Sequence, residues 1–237
     1  MQDKVKQTQE TKSQQEWLKG FGVIQHSAET QKRIAEMEKR LSAEGITGDG
    51  IDFYDALAAA DRVANAAMWL AVHQTYANHI YPDGRDLKTD DFKKDPQGHL
   101  GGSLNMIPAY VGYMLANMLT GTTRSWVMGQ GHAVAAIDSV NLLLGNMTEA
   151  HAERYNLSED GLARFAQDFY AYALNKQGKQ DSPLGSHVNP HTGGGHLEGG
   201  YLGFASVQYA HMPLPGESLV AFLSDGAFEE QRGADWT

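Results

Sequence analysis

The sequence predicts an α/β fold in which a mainly parallel sheet carries helices on both faces. Short apolar runs at Ser125–Met128 and at residues 219–223 have the length of buried strands, and each leads into a glycine turn. Helical periodicity fills much of the remaining chain, and strands that alternate with helices favour a parallel sheet. Ligands of such folds collect at the carboxyl ends of the strands, where Gly129, Gly131 and Asp225 stand.

The first 50 residues differ from the rest of the chain. Up to about Gln15 the sequence is rich in Gln, Lys and Thr and nearly free of apolar residues, which favours a disordered tail. Farther on, Ile34, Met37 and Leu41 repeat at helical spacing among charges, which predicts a surface helix. We therefore divide the chain into a polar tail with a surface helix, residues 1–50, and one domain, residues 51–237.

Helical spacing of apolar residues predicts five helices in this domain. The first, of about seven turns, carries a face of small residues between Leu57 and Ala71, which favours close packing. The second contains Pro108, which a helix tolerates in its first turn. Ser158 is expected to cap the fourth, which extends to Tyr172. In chain order, the predicted helices start near Leu57, Asn105, Ala133, Ser158 and Tyr201.

Composition excludes several kinds of site. The 237 residues include no cysteine, which removes disulfides, thiolate nucleophiles and iron–sulfur clusters. A net charge of -10 gives no electrostatic reason to expect nucleic acid as a partner, and an anionic substrate would need a local cationic pocket. No apolar run reaches the roughly 18 residues of a membrane span. The polar start also lacks the apolar core of a signal peptide, so we expect no membrane association and a cytoplasmic location.

Histidine in glycine-rich loops is the main chemical signal. Glycine lets a backbone approach a ligand closely, and imidazole exchanges protons near neutral pH. A single histidine beside a glycine is commonly a surface or structural residue. Five in such positions favour a functional role, and they are His99, His132, His187, His191 and His196.

Local patterns leave other interpretations open. The spacing of His187, His191 and His196 could ligate zinc, although no helix or strand that would carry these ligands is evident. Residues 129–134 begin like a dinucleotide fingerprint but lack its third glycine. Asp225, after a predicted strand, suits a magnesium ion that bridges a diphosphate, although Asp-Gly is also a common turn.

Taken in chain order, the motifs resemble the amino-terminal part of phosphoketolases, a family that is itself similar to transketolase. The resemblance extends from about Asp52 to the last residue, and the spacing between His99 and His132 suits the first two histidine motifs of the family. The motifs that carry it are Gly98-His99-Leu100-Gly101, Gly129-Gln130-Gly131-His132, Ser186-His187-Val188-Asn189-Pro190, Glu198-Gly199-Gly200-Tyr201-Leu202-Gly203 and Ser224-Asp225-Gly226.

The resemblance implies a transketolase-like fold that binds thiamine diphosphate and Mg²⁺, present here only in part. Phosphoketolases split xylulose 5-phosphate or fructose 6-phosphate and capture inorganic phosphate, releasing acetyl phosphate and an aldose phosphate. The resemblance further implies that His99, His132 and His187 line the substrate channel and transfer protons. Cofactor contacts are implied at Gly129, Gly131, Gly200, Asp225 and Gly226, with Asp225 also the magnesium ligand.

Several motif positions depart from the family pattern, which makes this a divergent member. Leu100 stands where the family has an aromatic residue, Ala133 and Val134 where it has two glycines, and His191 where it has a Glu. The departures bear on the substrate pocket more than on the cofactor. A sugar-phosphate epimerase of the same fold and a non-catalytic fragment or subunit are therefore the alternatives to phosphorolytic cleavage.

The resemblance also implies partners. In the family, the magnesium motif continues beyond the position of Thr237. The pyrimidine-binding domain, whose Glu activates the cofactor, lies farther along the chain. We therefore expect this chain to be inactive alone and to act as a portion of a larger enzyme. It would work as a homo-oligomer or beside a chain that carries the missing domains.

Overall fold

The computed structural model of the chain describes residues 11–46, 50–128, 133–171, 176–178 and 218–222. Within these ranges it is mostly helical, with one short pair of strands. A 3-10 turn, Thr89–Asp91, precedes the fourth helix. The elements in chain order are α1 (Lys12–Leu18), α2 (Ala28–Ala43), α3 (Phe53–Tyr76), α4 (Leu100–Thr120), β1 (Ser125–Met128), α5 (Val134–Leu144), α6 (Glu149–Arg154), α7 (Glu159–Asp168) and β2 (Leu219–Phe222).

Regular structure begins closer to the amino terminus than the composition of the segment suggests. Thr11 caps α1, and Trp17 in this helix is only 3% exposed. Its indole stacks on the ring of His26 with centroids 4.2 Å apart and lies 5.6 Å from the ring of Tyr54. The prediction of a disordered tail is therefore wrong for residues 11–15, because one buried tryptophan anchors an otherwise polar helix.

Helix α2 lies on the surface, as its charge pattern predicts. None of its residues is buried. The hydroxyl of Ser27 caps it by accepting a hydrogen bond from the N–H of Thr30 at 3.2 Å. Along its exposed face Arg33 pairs with Glu29 at 2.8 Å.

The core lies where α3, α4 and α5 pack together. Ala64, Ala67 and Ala71 of α3 are buried, which confirms the predicted small-residue face. Because alanine adds little bulk, the neighbouring helices approach closely enough to bury Tyr110 of α4 and Ile137 of α5.

Helix α4 begins earlier than the sequence predicts. The expected start near Asn105 is wrong, because His99 caps the helix and Leu100 begins it. Pro108 therefore lies in the helix interior, where it leaves one backbone carbonyl without its usual donor. Gly121, at φ +60, ends the helix as predicted. Neither α4 nor any other helix in the described ranges has the length and apolar character that crossing a bilayer would require.

The helices after the core also differ in part from expectation. Ser158 caps α7 as predicted, accepting the N–H of Gly161 at 3.1 Å. The helix ends at Asp168, and Tyr170 just beyond it adopts a left-handed backbone with φ +59. Its predicted extension to Tyr172 is therefore wrong. Helix α6 was not predicted, since its six residues are too few for a periodic pattern, and the helix predicted at 201–211 lies outside the described residues.

Strands β1 and β2 occur where the sequence predicts strands, and they pair in parallel. Ser125 is the partner of Leu219, and Met128 is the partner of Phe222. The ring of Phe222 is buried near Tyr110, with centroids 6.0 Å apart. The described ranges contain these two strands alone, so the wider sheet with helices on both faces stays a prediction.

Candidate functional site

His99 is the predicted site residue that lies within the described part of the chain. It occupies the N-cap position of α4, and its Nδ1 accepts a hydrogen bond from the backbone N–H of Gly102 at 2.9 Å. An Nδ1 that accepts a hydrogen bond carries no proton, so the proton of the neutral ring belongs to Nε2. The side chain is exposed. In the neutral ring, Nδ1 of His99 is therefore the acceptor that caps the helix and Nε2–H is a hydrogen-bond donor.

Gly98 sets the backbone from which His99 projects. Its φ of +118 lies in a region that only glycine adopts easily. A Cβ atom at this position would lie 3.1 Å from Cε1 of the Phe169 ring, tighter than ordinary van der Waals contact. The glycine of the first histidine motif is thus required both by the backbone angle and by the packing of Phe169.

The segment that leads to His99 is fixed to the end of α3. The N–H of Asn78 donates to the carbonyl of Asp91 at 2.7 Å, and the N–H of Lys93 donates to the carbonyl of Tyr76 at 2.8 Å. The amide of Asn78 adds a bond to the carbonyl of Phe92 at 3.2 Å. These bonds hold the loop before α4 against the helical core, so the position of His99 is tied to α3 as well as to α4.

The strand pair leads into the segments that carry several of the other predicted site residues. Because Met128 and Phe222 are partners in a parallel pair, both strands reach the same edge at their carboxyl ends. Helix α5 starts soon after β1, and its N-cap residue, Ala133, makes no side-chain hydrogen bond to the first turn. Backbone N–H groups at such a helix start bind phosphate groups. The diphosphate site that the sequence predicts at this edge stays a prediction.

The other predicted site residues lie outside the described residues. These include the remaining catalytic histidines, the cofactor-binding glycines and the single predicted metal ligand. The described ranges contain no group of three or more His, Asp or Glu side chains placed to hold a metal ion. The predicted residues that lie outside the described ranges are His132, His187, His191, His196, Gly129, Gly131, Gly200, Asp225 and Gly226.

A buried polar pair inside the core was missed by the sequence analysis. Asp138 of α5 is fully buried, and its Oδ2 accepts a hydrogen bond from Nε2 of Gln74 at 3.3 Å. Within the described residues Oδ1 of Asp138 and Oγ of Ser139 have no hydrogen-bond partner. Burial raises the pKa of Asp138 to about 7, so the carboxyl group stays largely protonated in mildly acidic solution. An aspartate inside the apolar stretch 133–144 was the signal that could have found it.

The chain is similar in sequence to phosphoketolases. Residues 54–233 match the XFP N-terminal domain family. The probable phosphoketolase of Pediococcus pentosaceus is 28% identical over 190 residues, which cover 78% of this chain and 22% of that protein. The xylulose-5-phosphate phosphoketolase of Lactiplantibacillus pentosus is 29% identical over 174 residues, or 71% of this chain and 20% of that protein.

A third organism gives the same result. The probable phosphoketolase of Methylococcus capsulatus is 28% identical over 170 residues, covering 69% of this chain and 20% of that protein. The chain thus spans about a fifth of the length of these curated relatives. No solved structure matches the chain significantly.

Proposed function

The chain belongs to the XFP N-terminal domain family, and on this premise we propose that it forms the diphosphate-binding part of a phosphoketolase-like enzyme. The reaction would cleave a ketose phosphate, xylulose 5-phosphate or fructose 6-phosphate, with inorganic phosphate to acetyl phosphate and an aldose phosphate. Such an enzyme is a lyase. The observation that carries the proposal is the family match over residues 54–233, which also implies a transketolase-like fold.

The strand pair supports the proposed cofactor site. The segment that follows Met128 contains Gly129 and Gly131, and the segment that follows Phe222 contains Asp225. We propose that backbone N–H groups of these segments and the start of α5 hold the diphosphate. Asp225 would ligate the Mg²⁺ that accompanies the diphosphate, with Gly226 and Gly200 as further backbone contacts. When bound, thiamine diphosphate supplies the electron sink for breaking the carbon–carbon bond.

The histidines have a proposed role in proton transfer. Nδ1 of His99 accepts the N–H of Gly102 in the cap of α4, so the Nε2–H of the neutral ring would donate a hydrogen bond to a hydroxyl or phosphate oxygen of the substrate. A net proton transfer by this ring would require the cap bond to open, because the second proton of an imidazolium is carried by Nδ1. His132 and His187 are proposed to transfer protons to and from the substrate. Neutral imidazoles suit this task because their protonation changes near pH 7.

The test is reconstitution of activity from two polypeptides. The full chain is mixed with the remaining part of the Pediococcus pentosaceus phosphoketolase, in the presence of thiamine diphosphate and Mg²⁺. Acetyl phosphate and the epimer of xylulose 5-phosphate are both quantified, and light scattering reports the number of copies in the complex. The matched control is Asp225→Ala, which lacks the proposed metal ligand.

The outcomes separate the candidate functions. Acetyl phosphate that appears only with both polypeptides and both cofactors supports the proposal. Epimer formation without acetyl phosphate would instead assign the chain to a sugar-phosphate epimerase. Complex formation with neither product, together with no cofactor binding, would identify a non-catalytic subunit.

A further inference from the structure

A small cleft of about 230 Å³ lies beside the His99 segment. One wall is formed by residues 93–97, which lead into the cap of α4, and the other by residues 167–171 at the end of α7. Asn78, just after α3, also lines the cleft. The cleft is therefore built from the ends of three helices that pack on the core.

The charge of this cleft is opposite to that of the whole chain. The protein carries a net charge of -10, whereas Lys93 and Lys94 both line the cleft beside a single acid, Asp95. The carboxylate of Asp95 accepts a hydrogen bond from Nε2 of Gln97 at 3.1 Å and forms no ion pair with either lysine in the described residues. Lys94 is exposed and takes part in none of the ion pairs found there. The cleft is thus a local cationic site on an acidic protein.

The ammonium group of Lys93 is held in place by one hydrogen bond, which uses one of its three N–H donors. Its Nζ donates to the carbonyl of Gln74 at 2.7 Å and lies 5.4 Å from the centre of the Phe169 ring. An ammonium group has three N–H donors, so this hydrogen bond leaves two for a ligand. The side chain is half-buried, and desolvation lowers the pKa of Lys93 to about 8. A partly desolvated ammonium gains more from a bound anion than one that is fully hydrated.

The opposite wall is also rigidly defined. Nε2 of Gln167 donates to the carbonyl of Asn78 at 3.1 Å, which links this wall to the segment after α3. Tyr170, next to it, has a φ of +59, a left-handed conformation that is uncommon for a tyrosine. Such strain persists where the surrounding structure enforces it, and it is frequent at ligand-binding positions.

We propose that this cleft binds a phosphate group, carried by a phosphomonoester or by free inorganic phosphate, through the ammonium groups of Lys93 and Lys94. The amide of Gln97 supplies an additional polar contact at its rim. Lysines act on phosphate as point charges, whereas recognition of a planar carboxylate favours the fork of an arginine, which this cleft lacks among its described residues. The proposal rests on the cleft and its charges and does not require the enzymatic reaction proposed above.

The test is a titration of the full chain with inorganic phosphate, at constant ionic strength and without cofactor, followed by backbone amide chemical shifts. Saturable shifts are expected in residues 93–97 and 167–171. Lys94→Gln should weaken binding at least about fivefold, because it removes one of the two positive charges that line the cleft. Lys39→Gln, which removes an equally exposed lysine from α2, is the matched control and should change affinity less than about twofold.

Two further variants distinguish a loss of phosphate binding from a loss of folding. Lys93→Gln removes a contact to α3 and can weaken the fold, so its effect is interpreted only with an unchanged circular dichroism spectrum. Asp95→Asn removes the one acid of the lining and should tighten phosphate binding, a gain that unfolding cannot produce. Shifts confined to other regions, or an equal loss of affinity in Lys39→Gln and Lys94→Gln, would overturn the proposal.

The source of the phosphate is found by comparing ligands. Xylulose 5-phosphate, inorganic phosphate and unphosphorylated xylulose are titrated in parallel. Tighter binding of the sugar phosphate than of phosphate indicates a phosphomonoester site, and equal binding indicates a site for free phosphate. Binding of xylulose with the same affinity as its phosphate would contradict the proposal.

Discussion

Nδ1 of His99 accepts the backbone N–H of Gly102 at 2.9 Å, so the first histidine of the candidate site is also the N-cap of a long core helix. This contact gives one side chain two tasks. Nδ1 satisfies a backbone donor that would otherwise lack a partner at the start of α4. The remaining nitrogen is the one proposed to serve the reaction.

Replacing His99 separates these tasks. His99→Ala removes the cap acceptor and should lower the free energy of unfolding by about 1 kcal/mol. His99→Asn places a side-chain oxygen where it can accept the same N–H, so it should retain most of that stability while losing the imidazole. Urea denaturation of both variants measures the difference. Equal destabilisation by Asn and Ala would show that the ring itself, and not its acceptor, supports the helix.

Substitution of Gly98 should be more damaging than that of another positive-φ glycine with open space around it. Gly98→Ala introduces both an unfavourable φ of +118 and a Cβ 3.1 Å from the Phe169 ring, so we expect a loss of about 2–3 kcal/mol. Gly84→Ala, at φ +74 with open space around its Cβ position, is the matched control and should cost about 1 kcal/mol. Thermal and urea unfolding test the comparison. Equal stability of the two variants would show that neither the larger φ of Gly98 nor its contact with Phe169 adds a cost.

Stability should depend on pH through Asp138. Burial raises the pKa of this carboxyl to about 7 from its ordinary value of 3.8, so the folded protein holds a proton that the unfolded chain releases. The free energy of unfolding should therefore fall as pH rises from about 4 to about 7, by up to about 1.4 kcal/mol per pH unit, and level off above that range. Urea denaturation at pH 5, 6, 7 and 8 measures this slope.

Asp138→Asn is the diagnostic variant for that slope. The neutral amide has the shape of the carboxyl and cannot ionise, so the part of the slope due to this group should disappear. Gln74 and Tyr110, the polar groups that face it from α3 and α4, stay unchanged. Asp160→Asn, which removes an exposed carboxylate from α7, is the control and should keep the wild-type slope. A slope that survived in Asp138→Asn would assign the pH dependence to other groups.

In the reconstituted enzyme, Asp225 and His132 should give different defects. Asp225→Ala removes an anionic ligand from the proposed magnesium ion, so the affinity for thiamine diphosphate should fall. His132→Ala should leave cofactor affinity near normal and reduce turnover about a hundred- to ten-thousand-fold, the usual contribution of a positioned proton donor or acceptor. Calorimetric titration with the cofactor and a turnover assay measure the two effects.

Each of these variants can also refute its assignment. Full turnover in His132→Ala would make this histidine structural. Full cofactor affinity in Asp225→Ala would remove the main residue on which the cofactor proposal depends. Submicromolar binding of thiamine diphosphate by the chain alone would contradict the expectation that part of the site lies on another segment.

The sequence by itself determined those elements whose cause is local. Apolar periodicity located α2 and α5, the hydroxyl of Ser158 located the start of α7, and short apolar runs located both strands. The alanine face of α3 was also evident, because residues at steps of three and four share one side of a helix. The order of the glycine and histidine motifs was sufficient to identify the family.

Only the tertiary structure decided how distant segments use those elements. It placed Gly98 against Phe169, buried Trp17 beside Tyr54 and paired Met128 with Phe222. It also turned Asp138 into a fully buried carboxyl with a raised pKa and gathered Lys93 and Lys94 into a cleft with the end of α7. Burial and contact between residues far apart in the chain depend on packing, and no local window of sequence contains both partners.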